Sequence, residues 1–393
     1  MEYNLDNCLA CNICNLNCPV MAVHPEFKGP KLSGPAYERF RINASEIDEN
    51  ILLCSNCKTC DTVCPANVPI ASLNMKAKAN YYKYHKHSLS DWILSNGEKL
   101  GKFASLSPYI TNFSIKYFKK ALKLVNISNK APLPKYSKKN FYQEFKKIKQ
   151  QSFEHKVLFY PGCFINFYQP EVGIDLVKLL QKIKIEVIVD ERFICCGSPY
   201  VSNGYLDIAK NNAIHNFELL KYWIIERKIP VLALCTTCSL MLRQEYQELF
   251  DMDEIKTIAN NIYDAGEYLL KILPKEIDKI KINKQKLSEM IYHAPCHLKV
   301  QGIGLPFYEI LTQIIGMNIQ NADAGCCGIS GNYGFKDENY NTSMKVGNKL
   351  FDKIEKSKAD VVLSECGTCR IQIEHGSQRK TEHPVTILEK LIS

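Results

Sequence analysis

A chain of 393 residues, 46% of them hydrophobic, can bury two or three separate cores, which excludes a disordered tail or a fibre. The opening Met-Glu-Tyr-Asn-Leu-Asp has no basic leader ahead of an apolar run, and no stretch reaches the ~18 apolar residues of a spanning helix. The chain is therefore expected on the cytoplasmic side, where a reducing environment keeps its 18 cysteines free for metal or redox chemistry, and its net charge of +9 asks where the cations sit.

The cysteines fall in three groups, at 8–64, 163–238 and 296–369, separated by stretches without any. In the first group Cys8, Cys11, Cys14 and Cys18-Pro19 are followed by Cys54, Cys57, Cys60 and Cys64-Pro65, the bacterial ferredoxin spacing written twice. Gaps of two residues let three thiolates wrap one cube from a single loop. The cysteine before proline, expected on an emerging helix, reaches across to the other cube. Two [4Fe–4S] clusters are thus expected, one on Cys8, Cys11, Cys14 and Cys64, the other on Cys54, Cys57, Cys60 and Cys18. A pair of zinc ribbons would not produce two runs of four that each end in proline.

Residues 86 to 153 differ in kind. From Lys116 to Lys149 there are eleven lysines against one acid, Glu144, so the basic character of the chain is local. Spacings of three and four among the apolar residues from Phe118 to Val125 fit an amphipathic helix, either on an anionic membrane surface or as a solvated face of a helical linker. No recognised nucleic-acid motif accompanies the lysines, so no nucleic acid is expected.

The other two groups form an internal repeat. Val157-Leu-Phe-Tyr-Pro-Gly-Cys163 lies on Met290-Ile-Tyr-His-Ala-Pro-Cys296 at an offset of 133. Cys195-Cys196-Gly197 lies on Cys326-Cys327-Gly328, and Cys235-Thr-Thr-Cys238 on Cys366-Gly-Thr-Cys369, both at 131. Short β-branched runs (Val157 to Phe159, Glu186 to Val189, Pro230 to Leu234) end in cysteines and lead into helical patterns such as Val172 to Leu180. Strands alternating with helices imply a parallel sheet with its cysteines beyond the strands' carboxyl ends.

Neighbours on a strand point opposite ways, so Cys195 and Cys196 need a turn, which Gly197 and Gly328 permit. Each copy offers five thiols: Cys163, Cys195, Cys196, Cys235 and Cys238 in the first, and Cys296, Cys326, Cys327, Cys366 and Cys369 in the second. That is one more than a cube or a zinc ion takes. His293 and His297 flank Cys296 in a loop and fit proton relay or hydrogen bonding better than ligation.

With Gly29-Pro-Lys-Leu-Ser-Gly-Pro35, Leu133-Pro-Lys-Tyr-Ser137, Gly334-Phe-Lys-Asp-Glu-Asn-Tyr340 and His383-Pro-Val-Thr-Ile-Leu388, these motifs resemble, from end to end, the cysteine-rich "CCG" proteins fused to a two-cluster ferredoxin, and among them the iron–sulfur subunits of anaerobic glycerol-3-phosphate dehydrogenases. The resemblance implies an α+β and α/β multidomain fold: a helical 2[4Fe–4S] ferredoxin domain (1–85), a basic helical linker (86–153) and two duplicated α/β CCG domains (154–275 and 286–393). It further implies a subunit peripheral on the inner membrane face, taking electrons from flavin-bearing dehydrogenase subunits towards quinone. From the heterodisulfide reductase relatives it implies one or two noncubane [4Fe–4S] clusters in the CCG domains. Some members of the group lack a cysteine of the first copy, whereas here both copies are complete. No Gly-x-Gly-x-x-Gly turn follows a strand, so flavin is expected on a partner only. Service to a glycolate or D-lactate dehydrogenase, or disulfide reduction in its own right, would use the same architecture.

Overall fold

The computed structural model describes residues 7–40, 43–252, 254–276, 280–283 and 288–392. The opening residues and the expected start of the second copy at 286 lie outside them.

Two four-stranded parallel sheets carry the carboxyl-terminal two-thirds of the chain. The first contains β1 (His155–Tyr160), β2 (Ile185–Ile188), β3 (Val231–Ala233) and β4 (Ile262–Asp264), in the order β2-β1-β3-β4. The second contains β5 (Met290–Tyr292), β6 (Ile319–Asn321), β7 (Val361–Leu363) and β8 (Lys380–Glu382), in the order β6-β5-β7-β8. The duplication read from the cysteines is therefore a duplication of topology. Val157, Leu158 and Phe159 of β1 are all fully buried, because helices cover both faces of a parallel sheet and every side chain points into a core. Leu158 pairs with Ile188 on one side and Val231 on the other. The strands match the expected runs to within two residues at each end. One apolar core spans both copies, running from Val157 and Phe159 to Tyr292 and Leu363.

The ferredoxin part packs its longest helix, Ile70–Tyr81, against the first copy, with Met75 and Ala77 sharing a core with Tyr160 and Tyr246. The intervening segment is a strap. Helices Leu89–Ser95, Gly97–Ala104 and Pro108–Tyr117 lead to a 3₁₀ turn, Lys119–Val125, where an amphipathic α-helix was expected. The three-residue spacing of Leu122 and Val125 suits the 3₁₀ period as well as the α period. Beyond it the chain turns inward. Ile127 bridges to Lys336, the Ser128 N–H donates to the Phe335 carbonyl (2.9 Å) and the Ser137 N–H to the Phe167 carbonyl (2.8 Å). The linker thus clasps both copies. Among the described residues, no helix is long and apolar enough to cross a membrane.

Candidate metal centres

In the two ferredoxin loops the residues on either side of the second cysteine are left-handed: Ala10 and Asn12 at φ 53° and 66°, Asn56 and Lys58 at φ 55° and 60°. Alternating hand turns successive N–H groups inward, a concavity suited to an anion such as a thiolate-bound cluster. Cys8, Cys11, Cys14 and Cys64 line one small pocket, and Cys18, Cys54, Cys57 and Cys60 line another. In each pocket the fourth cysteine comes from the other run. Cys18 and Cys64 do not sit on an emerging helix. Each follows a one-turn helix, Ile13–Leu16 or Thr59–Thr62, in a turn closed by its own N–H on Asn15 or Asp61. The succeeding proline disfavours helical backbone at the residue before it. The two pockets differ in burial. Cys11 is exposed beside exposed Leu9 and Leu16, while all four cysteines of the second set are buried.

Lys58, inside the second set, is buried with its Nζ 3.1 Å from Glu245, 3.5 Å from Glu248 and 3.7 Å from Asp61. Burial alone would lower its pKa, but the three carboxylates outweigh that and hold it above the usual lysine value.

In the cysteine-rich copies every cysteine follows the carboxyl end of a strand. Gly197 and Gly328 turn the chain between the paired cysteines and the next element at φ 94° and 91°, and a Cβ on Gly328 would lie 1.9 Å from the Ser343 carbonyl oxygen. The Cys327 and Cys369 sulfurs are 3.2 Å apart. The electrostatic pattern is written twice. Hydrogen bonds from Cys163 and Cys196 hold Cys195 well below the usual thiol pKa, and those from Cys296 and Cys327 do the same for Cys326. Cys235 is lowered by Cys238, and Cys366 is lowered to about 6, chiefly by Cys369. In each five, two cysteines are thus pushed towards the thiolate by the other three, a soft donor set that suits iron and sulfide. All 18 cysteines are free.

The three modules meet at His297, which lies in the first turn of helix Cys296–Lys299 and not in a loop. Its Nε2 donates to the Asn56 carbonyl (3.0 Å), between two cysteines of the inner ferredoxin set. Its Nδ1 faces the Thr237 hydroxyl (2.9 Å), between Cys235 and Cys238. Gln301, one turn on, donates to the Ser239 hydroxyl (3.0 Å) and the Thr236 carbonyl (3.2 Å). Charge is felt across these joints. After burial, Cys326 is the largest influence raising Cys57 to about 12, and the charge of Cys366 works against the lowering of Cys235. Beside the knot lies a cavity of about 510 Å³, lined by Cys163, Cys196, Cys235 and Cys238 of the first copy, Cys366 of the second, and His297. Its far wall is apolar and comes from the strap.

His293 is elsewhere. It is buried in the second copy, a ring nitrogen and the Cys327 and Cys369 sulfurs lie within 4.8 Å of one another, and its Nε2 has no hydrogen-bond partner. Lys58, Thr237, Gln301 and buried Arg370, beside Cys369, were not singled out in the sequence. Arg370 and Lys58 had a signal, a cation adjacent to a cysteine of the motif; Thr237 and Gln301 had none.

A family profile described as a 4Fe-4S dicluster domain matches residues 4–68, and one described as a cysteine-rich domain matches residues 157–243 and 290–374. The chain is 35% identical over 398 residues, covering 100% of both proteins, to a subunit of the anaerobic glycerol-3-phosphate dehydrogenase of Escherichia coli strain K12. It is 24% identical to a subunit of the fumarate reductase (CoM/CoB) of Methanothermobacter marburgensis over 98% of this chain and 71% of that protein. It is 25% identical to "Lactate utilization protein A 2" of Bacillus cereus strain Q1 over 61% of this chain and 99% of the relative. With its free thiols gathered as these families require, the chain is an iron–sulfur protein carrying several clusters, and it belongs to the family of iron–sulfur subunits of anaerobic glycerol-3-phosphate dehydrogenase.

Proposed function

We propose that this chain is the electron-transfer subunit of a membrane-associated, quinone-dependent glycerol-3-phosphate dehydrogenase, carrying electrons from the flavin of a partner subunit to a quinone such as menaquinone. The observation that carries the reading is the meeting of all three cysteine-bearing modules at His297, beside one apolar cavity. Cys8, Cys11, Cys14 and Cys64 would hold the outer cluster; Cys18, Cys54, Cys57 and Cys60 would hold the inner one; the two sets of five cysteines would hold noncubane clusters. Clusters bound there supply one-electron storage, so that the two electrons of a hydride-reduced flavin pass singly to a quinone. Exposed Cys11 and its apolar neighbours suit the entry end, where a flavin subunit docks. His297 holds the inner loop against both copies, and its position on the cavity wall suits proton delivery to a quinone, which takes up two protons with its two electrons. His293 is walled in with Cys327 and Cys369 and suits hydrogen bonding to sulfur.

The test is anaerobic purification with whatever co-purifies, followed by quinone-reduction assays on glycerol 3-phosphate, glycolate and D-lactate. Turnover is expected with glycerol 3-phosphate and not with the other two. Turnover confined to glycolate or D-lactate would reassign the partner, and disulfide reduction by the isolated chain with an artificial reductant would replace the reading altogether.

A further inference from the structure

We propose that residues 89–125 form a lipid-facing flap through which an isoprenoid quinone enters the 510 Å³ cavity directly from the bilayer. The inference rests on the reading above that a quinone is the acceptor.

This segment has two faces. Ile93, Leu94, Leu100, Ala104, Ile115 and Leu122 look inward and make the apolar wall opposite the cysteines. On the outer side Leu106 is 83% exposed, Ile110 68%, Phe113 57% and Leu124 86%. Of the 19 large apolar side chains that stand exposed among the described residues, ten fall between Leu89 and Leu124. A patch of that kind on one segment of a water-dissolved surface is costly unless something apolar covers it. The charges around it select the cover. Lys99, Lys116, Lys119, Lys120 and Lys123 are exposed, while the two acids of the segment are taken, Asp91 buried against Lys336 and Glu98 paired with Lys102 (2.7 Å). Exposed aromatic and aliphatic groups interleaved with unopposed lysines fit the interface of an anionic bilayer.

The same segment is built to move. Helix Pro108–Tyr117 buries only Pro108, and the 3₁₀ turn Lys119–Val125 buries nothing. The Asn112 side chain pairs with the Tyr136 backbone (2.8 and 2.9 Å), but little buried apolar contact holds the rest of the middle, which places it at the low end of local stability. Both ends are fastened at one point: the Asp91 carboxylate pairs with the Lys336 ammonium, and Ile127 bridges to the Lys336 backbone. A flap fixed at both ends and thinly packed between them, greasy on both sides, gives a water-insoluble molecule a route to the cysteines that never crosses water.

The experiment uses the whole dehydrogenase complex with glycerol 3-phosphate as reductant. Turnover is compared between a long-chain menaquinone embedded in anionic phospholipid vesicles and a short-chain quinone in solution, with vesicle flotation measured on the same samples. In the Leu106→Ser, Ile110→Ser, Leu124→Ser variant the ratio of embedded to soluble turnover is expected to fall at least tenfold, with less protein floating. Leu100→Trp, which fills the cavity from the inner wall, is expected to lower turnover of both quinones while flotation stays at the wild-type level. An unchanged ratio in the triple variant overturns the lipid route, as does flotation that no substitution or salt alters. Wild-type complex that reduces neither quinone overturns the acceptor assignment, and a flotation loss in the triple variant then still upholds the lipid face.

Discussion

The two cysteine-rich sites share a topology but not a chemical surrounding. The repeat offsets place His293 where the first copy has Tyr160, and Arg370 where it has Ser239. Tyr160 spends its hydroxyl on the Ile194 carbonyl (2.7 Å), and Ser239 bonds to Asp264 (3.1 Å). His293 keeps an unpartnered buried Nε2, and the Arg370 guanidinium is buried with Cys366, Cys235 and Cys369 among the groups that act on its charge. Donors and cations near the sulfurs favour the reduced, more negative cluster, so the second site is expected at the higher potential. His293→Phe should lower it by tens of millivolts, roughly 59 mV for each tenfold change in a one-electron equilibrium. Potentiometric titration followed by electron paramagnetic resonance reads this. Equal shifts at both sites, or none, would refute the assignment. Asp264, at the end of β4, gives a pH signature. Burial pushes its carboxyl up to about 7 against hydrogen bonds from the Gly266 N–H and Ser239. The folded state therefore favours the protonated acid. The contribution is fully present below about pH 4 and is lost as pH rises through 7, by at most ~1.4 kcal/mol per pH unit. Asp264→Asn should flatten the fall in unfolding midpoint between pH 5.5 and pH 8, and a slope equal to wild type would show that another group carries it.

At the scale of elements, the turns that aim the cysteines are the sensitive points. Gly328→Ala would drive a methyl into the Ser343 carbonyl of helix Asp337–Lys356, with a φ that L-residues resist; a loss above ~2 kcal/mol is expected. Gly331 has nothing within 4 Å of an added Cβ, so Gly331→Ala should show only the ~1 kcal/mol of left-handed strain. Thermal unfolding together with iron content separates the two, and equal losses would mean that the close approach at Ser343 is relieved cheaply. These turns were legible in the sequence, because a cysteine pair followed by glycine has few ways to present both sulfurs to one side. The strands were legible for a related reason, since parallel strands buried on both faces read as unbroken apolar runs. The strap was not. Its lysines promised an amphipathic helix at Phe118 to Val125, while the larger apolar face lies upstream on Leu106, Ile110 and Phe113, whose spacing of four and three falls ahead of the lysine run that marks the segment. Nor were the joints legible. His297 meets Asn56 across 241 positions, and Lys58 meets Glu248 across 190, and no local pattern encodes a partner so distant.

For the molecule as a whole, Lys58 is the buried ionic tie between the ferredoxin part and the first copy, beside the Ser202 hydrogen bonds and the shared apolar core. Lys58→Met would leave Glu245, Glu248 and Asp61 without their cation, a loss of roughly 3–5 kcal/mol for a broken buried pair. The variant should be cut by protease between the modules under conditions that leave wild type whole; equal resistance would show that the apolar contacts alone hold them. At the outer end, Leu16 projects 82% exposed near the pocket of Cys8, Cys11, Cys14 and Cys64. Leu16→Glu should weaken association with a flavin-bearing partner at least tenfold without changing iron content. Co-purification at wild-type yield would place the partner elsewhere.

The closure of the inner ferredoxin set has a consequence for how the protein is made. Cys18, Cys54, Cys57 and Cys60 are walled in by the first copy, where the Asn56 amide reaches Ser202 (3.4 Å) and the Lys78 ammonium the Ser202 carbonyl (3.2 Å), and by His297 of the second. A scaffold that delivers iron and sulfide has to touch the thiols it loads. Once the modules have docked, the exposed Cys11 remains within reach but the inner four do not. Maturation is therefore expected to fill the inner site before the carboxyl-terminal copies close over it. A chain that folds shut empty should accept a cluster at its outer site alone, until it is unfolded and given a second chance.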